Sequence, residues 1–288
     1  MLNLQGKIQT LLALTDFEIR KMFRRKIAHA GIAVSLFLTF LGALGITIRM
    51  TKRPNKELVG HLVSEMMNGL AFAETILLPG IYMLLPMVIG IFSAAAFAGE
   101  YQNGYIRTVA IRPVSRWQIF LGKFISLAIY SYILLAILLI VSYSTGSLLF
   151  GMSGDIIVFG PAFMGRGAKI FIMSGDTAWI RLLLSYLFAG FALISLSAMF
   201  LMFSAIFRKT AIATVFPLGI YYTSYILNTL PFMESLQRFL PTRYLMIWKY
   251  VMAEQIQWGL IMHDGTFLIL YTIAYLTVGG VIFAKSEL

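Results

Sequence analysis

The chain has 288 residues, of which 59% are hydrophobic and only 12% are charged, and its formal net charge is +11. A soluble domain carries about 25% charged residues, so this composition excludes an ordinary soluble enzyme and predicts an integral membrane protein. The sequence contains no cysteine, which excludes disulfides and thiolate metal sites. We expect a single transmembrane domain over residues 1–288.

An amphipathic helix is the first predicted element, over residues 1–26. Apolar residues recur in it at helical spacing, whereas Asp16, Arg20 and Arg24 fall on another face, where Asp16 can pair with Arg20. This pattern is typical of a helix that lies in the membrane interface. Two roles stay open for it, that of an anchor and that of a helix that also contacts a cytoplasmic partner.

Six apolar runs follow, each long enough to cross a bilayer, since a transmembrane helix needs roughly 20 apolar residues. The predicted spans cover about residues 27–48, 75–99, 119–144, 179–207, 210–230 and 266–284. Pro79 and Pro86 predict kinks in the second span, and Pro217 predicts one in the fifth.

Basic residues are unevenly divided between the two sides of the membrane. With an even number of spans both termini share one side, and that side carries 13 of the 23 Lys and Arg residues but only four acidic ones. The basic run at residues 49–56 opposes this assignment. The positive-inside rule then predicts cytoplasmic termini, in the plasma membrane of a prokaryotic cell. The positive charge reads as attraction to lipid headgroups, and no nucleic-acid-binding motif is present.

Two segments between spans, residues 145–178 and 231–265, are too apolar for free loops and too short to span. Backbone at membrane depth must have its hydrogen bonds satisfied by protein. We therefore predict interfacial or re-entrant segments packed against the bundle. Aromatic and charged residues alternate in the second segment, as in helices at the membrane interface.

Motifs for catalysis, metal binding or nucleotide binding are missing from the sequence. His29, His61 and His263 are far apart and lack the spacing of metal ligands. Residues 146–153 have the spacing of a phosphate-binding loop, but Met152 stands where the lysine must be. We expect no catalytic residue, metal or cofactor in this chain.

Few ionisable residues fall within the spans. Glu74, Lys123 and Arg181 sit near span ends, and each is expected to snorkel to the interface. Glu74 could instead line an outer vestibule, because ionisable groups at membrane depth are often functional. The candidate substrate path consists of Glu74, Tyr221, Tyr225 and Asn228. Aromatic packing is the stronger expectation for the two tyrosines.

A polar, basic island between the second and third predicted spans is the most informative segment. It reads Gly99-Glu100-Tyr101-Gln102-Asn103-Gly104-Tyr105-Ile106-Arg107-Thr108, then Arg112-Pro113-Val114-Ser115-Arg116 and Gly122-Lys123. Gly104 permits a sharp turn, and residues 105–110 can form a short helix that Pro113 ends. Ser115 can cap the next helix. A rigid helix–break–helix unit of this kind can transmit the motion of a partner.

The island resembles the cytoplasmic loop of ABC transporter permeases of the type-2 family. That loop has Gly-Glu, then Gly-Thr-hydrophobic-Arg, then Arg-Pro-Val-Ser-Arg and Gly-Lys; Tyr105 stands where the family commonly has Thr. The turn at Arg208-Lys209 and the segment 240–245 are also similar, so the resemblance covers nearly the whole chain. It implies a coupling helix that docks on an ATPase subunit through Glu100, Tyr101, Gly104, Tyr105, Ile106, Arg107, Thr108, Arg112, Pro113 and Arg116.

The expected fold is all-α, with six transmembrane helices, the N-terminal interfacial helix, the coupling helix between helices 2 and 3, and outer interfacial or re-entrant segments. The resemblance implies a permease subunit of an ATP-driven exporter and not an enzyme. Its partners would be two ATPase subunits holding ATP and Mg, a second permease copy or a paralogue, and membrane lipid. The alternative is a secondary transporter or channel without an ATPase, which needs embedded charges or broken-helix repeats.

Overall fold

The computed structural model describes residues 4–24, 26–52, 66–105, 114–152, 154–159 and 170–286. Within these ranges the chain is mainly helical. In chain order the helices are α1 (Leu4–Arg24), α2 (Lys26–Lys52), α3 (Gly69–Pro79), α4 (Leu85–Ala96), α5 (Ala98–Gln102), α6 (Arg116–Phe150), α7 (Gly175–Ile206), α8 (Thr210–Thr229), α9 (Glu234–Gln237), α10 (Pro241–Tyr244) and α11 (Trp258–Lys285).

Six helical segments are long and apolar enough to cross a membrane: α2, the α3–α4 unit, α6, α7, α8 and α11. The predicted multi-pass helical architecture is therefore confirmed. α7 is the most buried, with 72% of its apolar window inside the protein, against 22% for each of α2, α8 and α11. It packs against α4, α6, α8 and α11. The apolar side chains on the outer helices face outward, where lipid tails would replace water.

Several helices extend beyond the predicted spans. α3 begins at Gly69 instead of residue 75, because the side chain of Asn68 accepts hydrogen bonds from the backbone N–H groups of Leu70 and Ala71. α11 begins at Trp258 instead of residue 266. Asp264 interrupts the apolar run there, yet it lies inside the helix because the hydroxyl of Tyr250 donates to its carboxylate at 2.9 Å.

The second span is broken where its prolines predict a kink. Pro79 ends α3, and residues Gly80–Leu84 form a π-helical turn before α4. Pro86 has no N–H, which leaves the carbonyl of Tyr82 without its helical partner. The hydroxyl of Tyr221 in α8 donates to this carbonyl at 3.1 Å, and Tyr222 donates to the carbonyl of Met83 at 2.7 Å. Two tyrosines of α8 thus donate to backbone carbonyls at the break.

A β-hairpin lies in the segment predicted to be interfacial or re-entrant. α6 continues to Phe150, and β1 (Ile156–Phe159) then pairs antiparallel with β2 (Ile170–Met173), Ile156 opposite Met173. Asn68 joins this hairpin to the start of α3, because its side-chain amide donates to the carbonyls of Gly154 and Asp155. This two-stranded sheet is an addition to a fold that is otherwise helical in the residues described.

The segment between α8 and α11 consists of short helices. A 3₁₀ helix over Leu245–Met252 packs on α7 and α11 and buries Trp248 completely. Arg181 of α7 donates to the carbonyls of Val251, Ala253 and Glu254 near its end. The guanidinium of Arg181 thus satisfies backbone carbonyls at the end of this 3₁₀ helix.

Candidate functional site

Residues 97–105, named here the junction segment, follow α4 and contain α5. The helix is irregular at Phe97, which frees backbone groups. Ser204 of α7 accepts hydrogen bonds from the N–H groups of Phe97 and Ala98, both at 3.2 Å, and donates to the carbonyl of Ala94 at 3.1 Å. One buried hydroxyl therefore fixes the start of the junction segment to the central helix.

A cluster of four charged side chains, three of them buried, holds the middle of the junction segment. Glu100 and Lys123 are each 1% exposed. Lys123 Nζ lies 2.7 Å from Glu100 Oε1 and 2.9 Å from Glu18 Oε1. Lys21 completes the cluster by pairing with Glu100 and, at 3.5 Å, with Glu18. These four residues, named the ion cluster, join α1, the junction segment and α6.

Opposite charges balance within the ion cluster. Burial would raise the pKa of Glu100, but Lys123 and Lys21 outweigh that effect, so the pKa of Glu100 lies below its ordinary value. Two carboxylates and two ammonium groups leave no net charge, which is the condition under which buried ions are tolerated. A cavity of about 20 Å³ beside the cluster is large enough for one water molecule.

The junction segment also holds the ends of two other spans. Gln102 Oε1 accepts hydrogen bonds from the N–H and the hydroxyl of Thr210, at 3.2 and 2.9 Å, where α8 begins. The hydroxyls of Tyr101 and Ser286 form a hydrogen bond of 2.9 Å beyond the end of α11. Arg116, on the far side of the island, donates to the carbonyl of Ser286 at 2.6 Å. We call this end of the bundle the junction end.

The tip of the junction segment is exposed. Gly104 adopts a φ of 73°, a left-handed conformation that suits glycine, so the predicted turn is confirmed. Tyr105 is 64% exposed. Five predicted coupling residues lie outside the described residues: Ile106, Arg107, Thr108, Arg112 and Pro113. Ser115 caps α6 as predicted, in a reciprocal arrangement with Gln118.

The candidate substrate-path residues lie on two helices. Glu74, on α3, is half-buried near Lys249 of the 3₁₀ helix. Tyr221 is buried against the break in the second span, and the Tyr225 ring lies 5.1 Å from that of Tyr82. Asn228 is half-buried on α8. The tyrosines thus pack on the second span, which was the stronger expectation for them.

The prediction that Lys123 snorkels is wrong, because its ammonium group is enclosed by two carboxylates. Sequence reasoning also missed Glu18 and Lys21 as its partners. A signal was present: Glu18 falls on the same face of α1 as Leu11 and Met22, where a carboxylate is unexpected. The carboxylate of Glu18 on an apolar face and the ammonium group of Lys123 in an apolar run have opposite charges, so the sequence alone allowed a pairing of the two to be considered.

A family model with the description "Protein of unknown function (DUF2705)" matches residues 44–288. The chain belongs to this family. It is also similar to the "Uncharacterized protein YhcI" of Bacillus subtilis (strain 168), with 30% identity over 132 residues, or 44% of this chain and 39% of that protein. The matched region thus spans less than half of that relative. In this family member the ion cluster connects two parts of the chain, since Glu18 and Lys21 precede the matched region.

Proposed function

We propose that this protein is the membrane-spanning permease subunit of an ATP-binding-cassette exporter. ATP and Mg²⁺ would be bound by a separate ATPase subunit, present in two copies, and the permease would pair with a second copy or a paralogue. The resemblance of the polar island to the coupling loop of type-2 permeases implies that the partner is an ATPase subunit. The chain itself supplies the element on which such a partner could act.

The observation that carries the proposal is the set of contacts made by the junction segment. Within a few residues it bonds to α7 through Ser204, to α1 and α6 through the ion cluster, and to α8 through Gln102. Tyr101 links it to the chain just after α11. A force on the exposed tip would therefore act on five helices at one end of the bundle. A loop that only connected two spans would need none of these contacts.

The remaining parts of the proposal concern orientation. The junction end would face the cytoplasm, where ATP is available, and both termini would lie there. α1 would lie in the inner interface. Its exposed Asp16–Arg20 pair, at 2.9 Å, matches the predicted polar face, and its Ile8 and Leu12 are exposed as well.

Co-purification tests the proposal. A tagged copy of the chain is purified from its native membranes, and mass spectrometry identifies bound proteins. We expect an ATPase with Walker motifs to co-purify with the wild type, and Tyr105→Glu and Arg107→Glu to reduce its recovery at least severalfold. Asp16→Asn is the matched control, because it changes an exposed charge away from the tip. If no ATPase is recovered with the wild type, or if the tip variants retain it fully, the proposal fails.

A secondary transporter is the second candidate, and the pair Glu74 and Lys249 favours it. Burial lowers the pKa of Lys249, and the nearby carboxylate of Glu74 offsets part of this effect. Charged groups in such positions often mark a transport path. This candidate predicts activity without any ATPase, so the co-purification experiment separates the two.

A further inference from the structure

An apolar groove of about 590 Å³ runs along the side of the bundle between α8 and α11. α7 forms its floor through Met199, Met202 and Phe203. α8 lines one wall from Val215 to Leu227, a length of about 18 Å at 1.5 Å per residue. Both walls belong to helices able to cross a membrane, so the groove would open toward lipid tails.

Residues 237–244, named here the lintel, close the groove at the end opposite the junction segment. Leu240 and Pro241 line the groove there. The lintel is fixed to both walls: the hydroxyls of Thr242 and Ser224 in α8 form a hydrogen bond of 2.8 Å, and Tyr271 of α11 donates to the carbonyl of Phe239 at 2.9 Å. The end of the groove is therefore held by a hydrogen bond to each wall.

Two exposed arginines flank the closed end. Arg238 and Arg243 lie on either side of Leu240 and Pro241 in the lintel. Phe239, beside them, is 74% exposed. An exposed aromatic ring next to basic residues is typical of the membrane–water interface.

We propose that the groove binds one acyl chain of an anionic membrane lipid, whose headgroup phosphate lies at Arg238 and Arg243. The apolar walls suit a hydrocarbon chain, and the arginines suit a phosphate, with which guanidinium groups form charge-assisted hydrogen bonds. An acyl chain can enter beside the lintel and end within the groove.

Gly219 offers a direct way to fill the groove. It lines the wall formed by α8, and a Cβ atom added to it would meet no other atom within 4 Å. Gly219→Trp should therefore occupy the space of the chain without disturbing the packing of the bundle. Gly45 in α2 has equally open surroundings and does not line the groove, so Gly45→Trp is the matched control.

Photolabelling tests the lipid site. Full-length protein in nanodiscs is exposed to phosphatidylglycerol carrying a diazirine in its acyl chain, and labelled peptides are mapped. We expect labels on α7, α8 and α11 within the groove, loss of most of these labels in Gly219→Trp, and no loss in Gly45→Trp. Labels that persist unchanged in Gly219→Trp would overturn the proposal, as would cross-links showing that a second copy occupies the groove.

The arginines are tested with the same protein and a phosphatidylcholine probe of identical chains. The wild type should favour phosphatidylglycerol, and Arg238→Gln and Arg243→Gln should each reduce that preference about fivefold, which corresponds to about 1 kcal/mol per basic residue near anionic lipid. Equal labelling by both probes in the wild type would refute a role for the headgroup charge. These outcomes do not depend on whether an ATPase binds the junction end.

Discussion

Lys123 shows how the surroundings of a residue decide its role. A charged side chain buried alone would cost several kcal/mol. Its two carboxylate partners come from α1 and from the junction segment, so the charge is neutralised only when three separate parts of the chain assemble. The ion cluster therefore specifies how these parts fit together, whatever its net effect on stability.

We predict strong coupling between Glu100 and Lys123. Glu100→Gln or Lys123→Met alone leaves an unbalanced buried charge and should each lower the free energy of unfolding by about 3 kcal/mol. The double variant leaves Glu18 paired with Lys21 and should cost about 1–3 kcal/mol less than the sum of the single variants. Denaturation of the purified protein in detergent measures this cycle. Additive effects would show that the two side chains do not interact.

Acid should weaken the ion cluster. The folded-state pKa of Glu100 lies below the ordinary value of 4.5, so its stabilising contribution is fully present above about pH 4.5 and is lost as pH falls through the lowered value. The difference in unfolding free energy between the wild type and Glu100→Gln should be constant from pH 7 to about 5 and should shrink at lower pH. A difference that stays constant down to pH 3 would contradict this.

Only the local contacts of individual residues could be predicted from the sequence. The turn at Gly104, the cap at Ser115 and the Asp16–Arg20 pair are local, and all three follow from spacing along the chain. The partners of Lys123 are not local, because Glu18 lies 105 positions away. An apolar run with one lysine fits snorkelling as well as burial, and only the fold decides between them.

At the scale of elements, the break in the second span is the main departure from regular structure. Pro79 and Pro86 interrupt the helix, and α8 compensates for it with two tyrosine hydroxyls. A π-helical turn is frequently found at functional sites. Here it ties the second span to the fifth at mid-length, while Gln102 ties them again at the junction end.

We predict that Tyr221 matters only because Pro86 leaves a carbonyl free. Tyr221→Phe should cost roughly 0.6–1.7 kcal/mol, the range for hydrogen bonds between membrane helices. In a Pro86→Ala background the carbonyl of Tyr82 gains a backbone N–H partner, and Tyr221→Phe should then cost little. Thermal unfolding of the four proteins measures this. An equal cost in both backgrounds would show that the hydroxyl serves another purpose.

Each span could be predicted from its apolar run alone, because a run of about 20 apolar residues is long enough to cross a bilayer. Helix ends were less predictable. Asn68 extends α3 by capping it, and Asp264 is tolerated inside α11 because Tyr250 bonds to it. The hairpin of β1 and β2 was missed because its apolar residues fit an interfacial segment equally well.

At the scale of the whole molecule, the two ends of the bundle differ. At the junction end one short segment bonds to several helices and exposes a tip. At the other end are the hairpin, the lintel and the buried 3₁₀ helix. α6 alone is about 52 Å long at 1.5 Å per residue, which exceeds a hydrocarbon core of about 30 Å. The two ends are therefore well separated and can contact different partners.

Site-specific photocrosslinking in native membranes tests whether an ATPase subunit contacts the tip of the junction segment. A photoreactive phenylalanine analogue replaces Tyr105 at the tip or, as the matched control, Met152 just beyond the far end of α6, which is 68% exposed. We predict that position 105 forms an adduct with an ATPase subunit and that position 152 does not. If position 105 yields no such adduct, or both positions yield it equally, the junction segment is not where an ATPase acts on this protein.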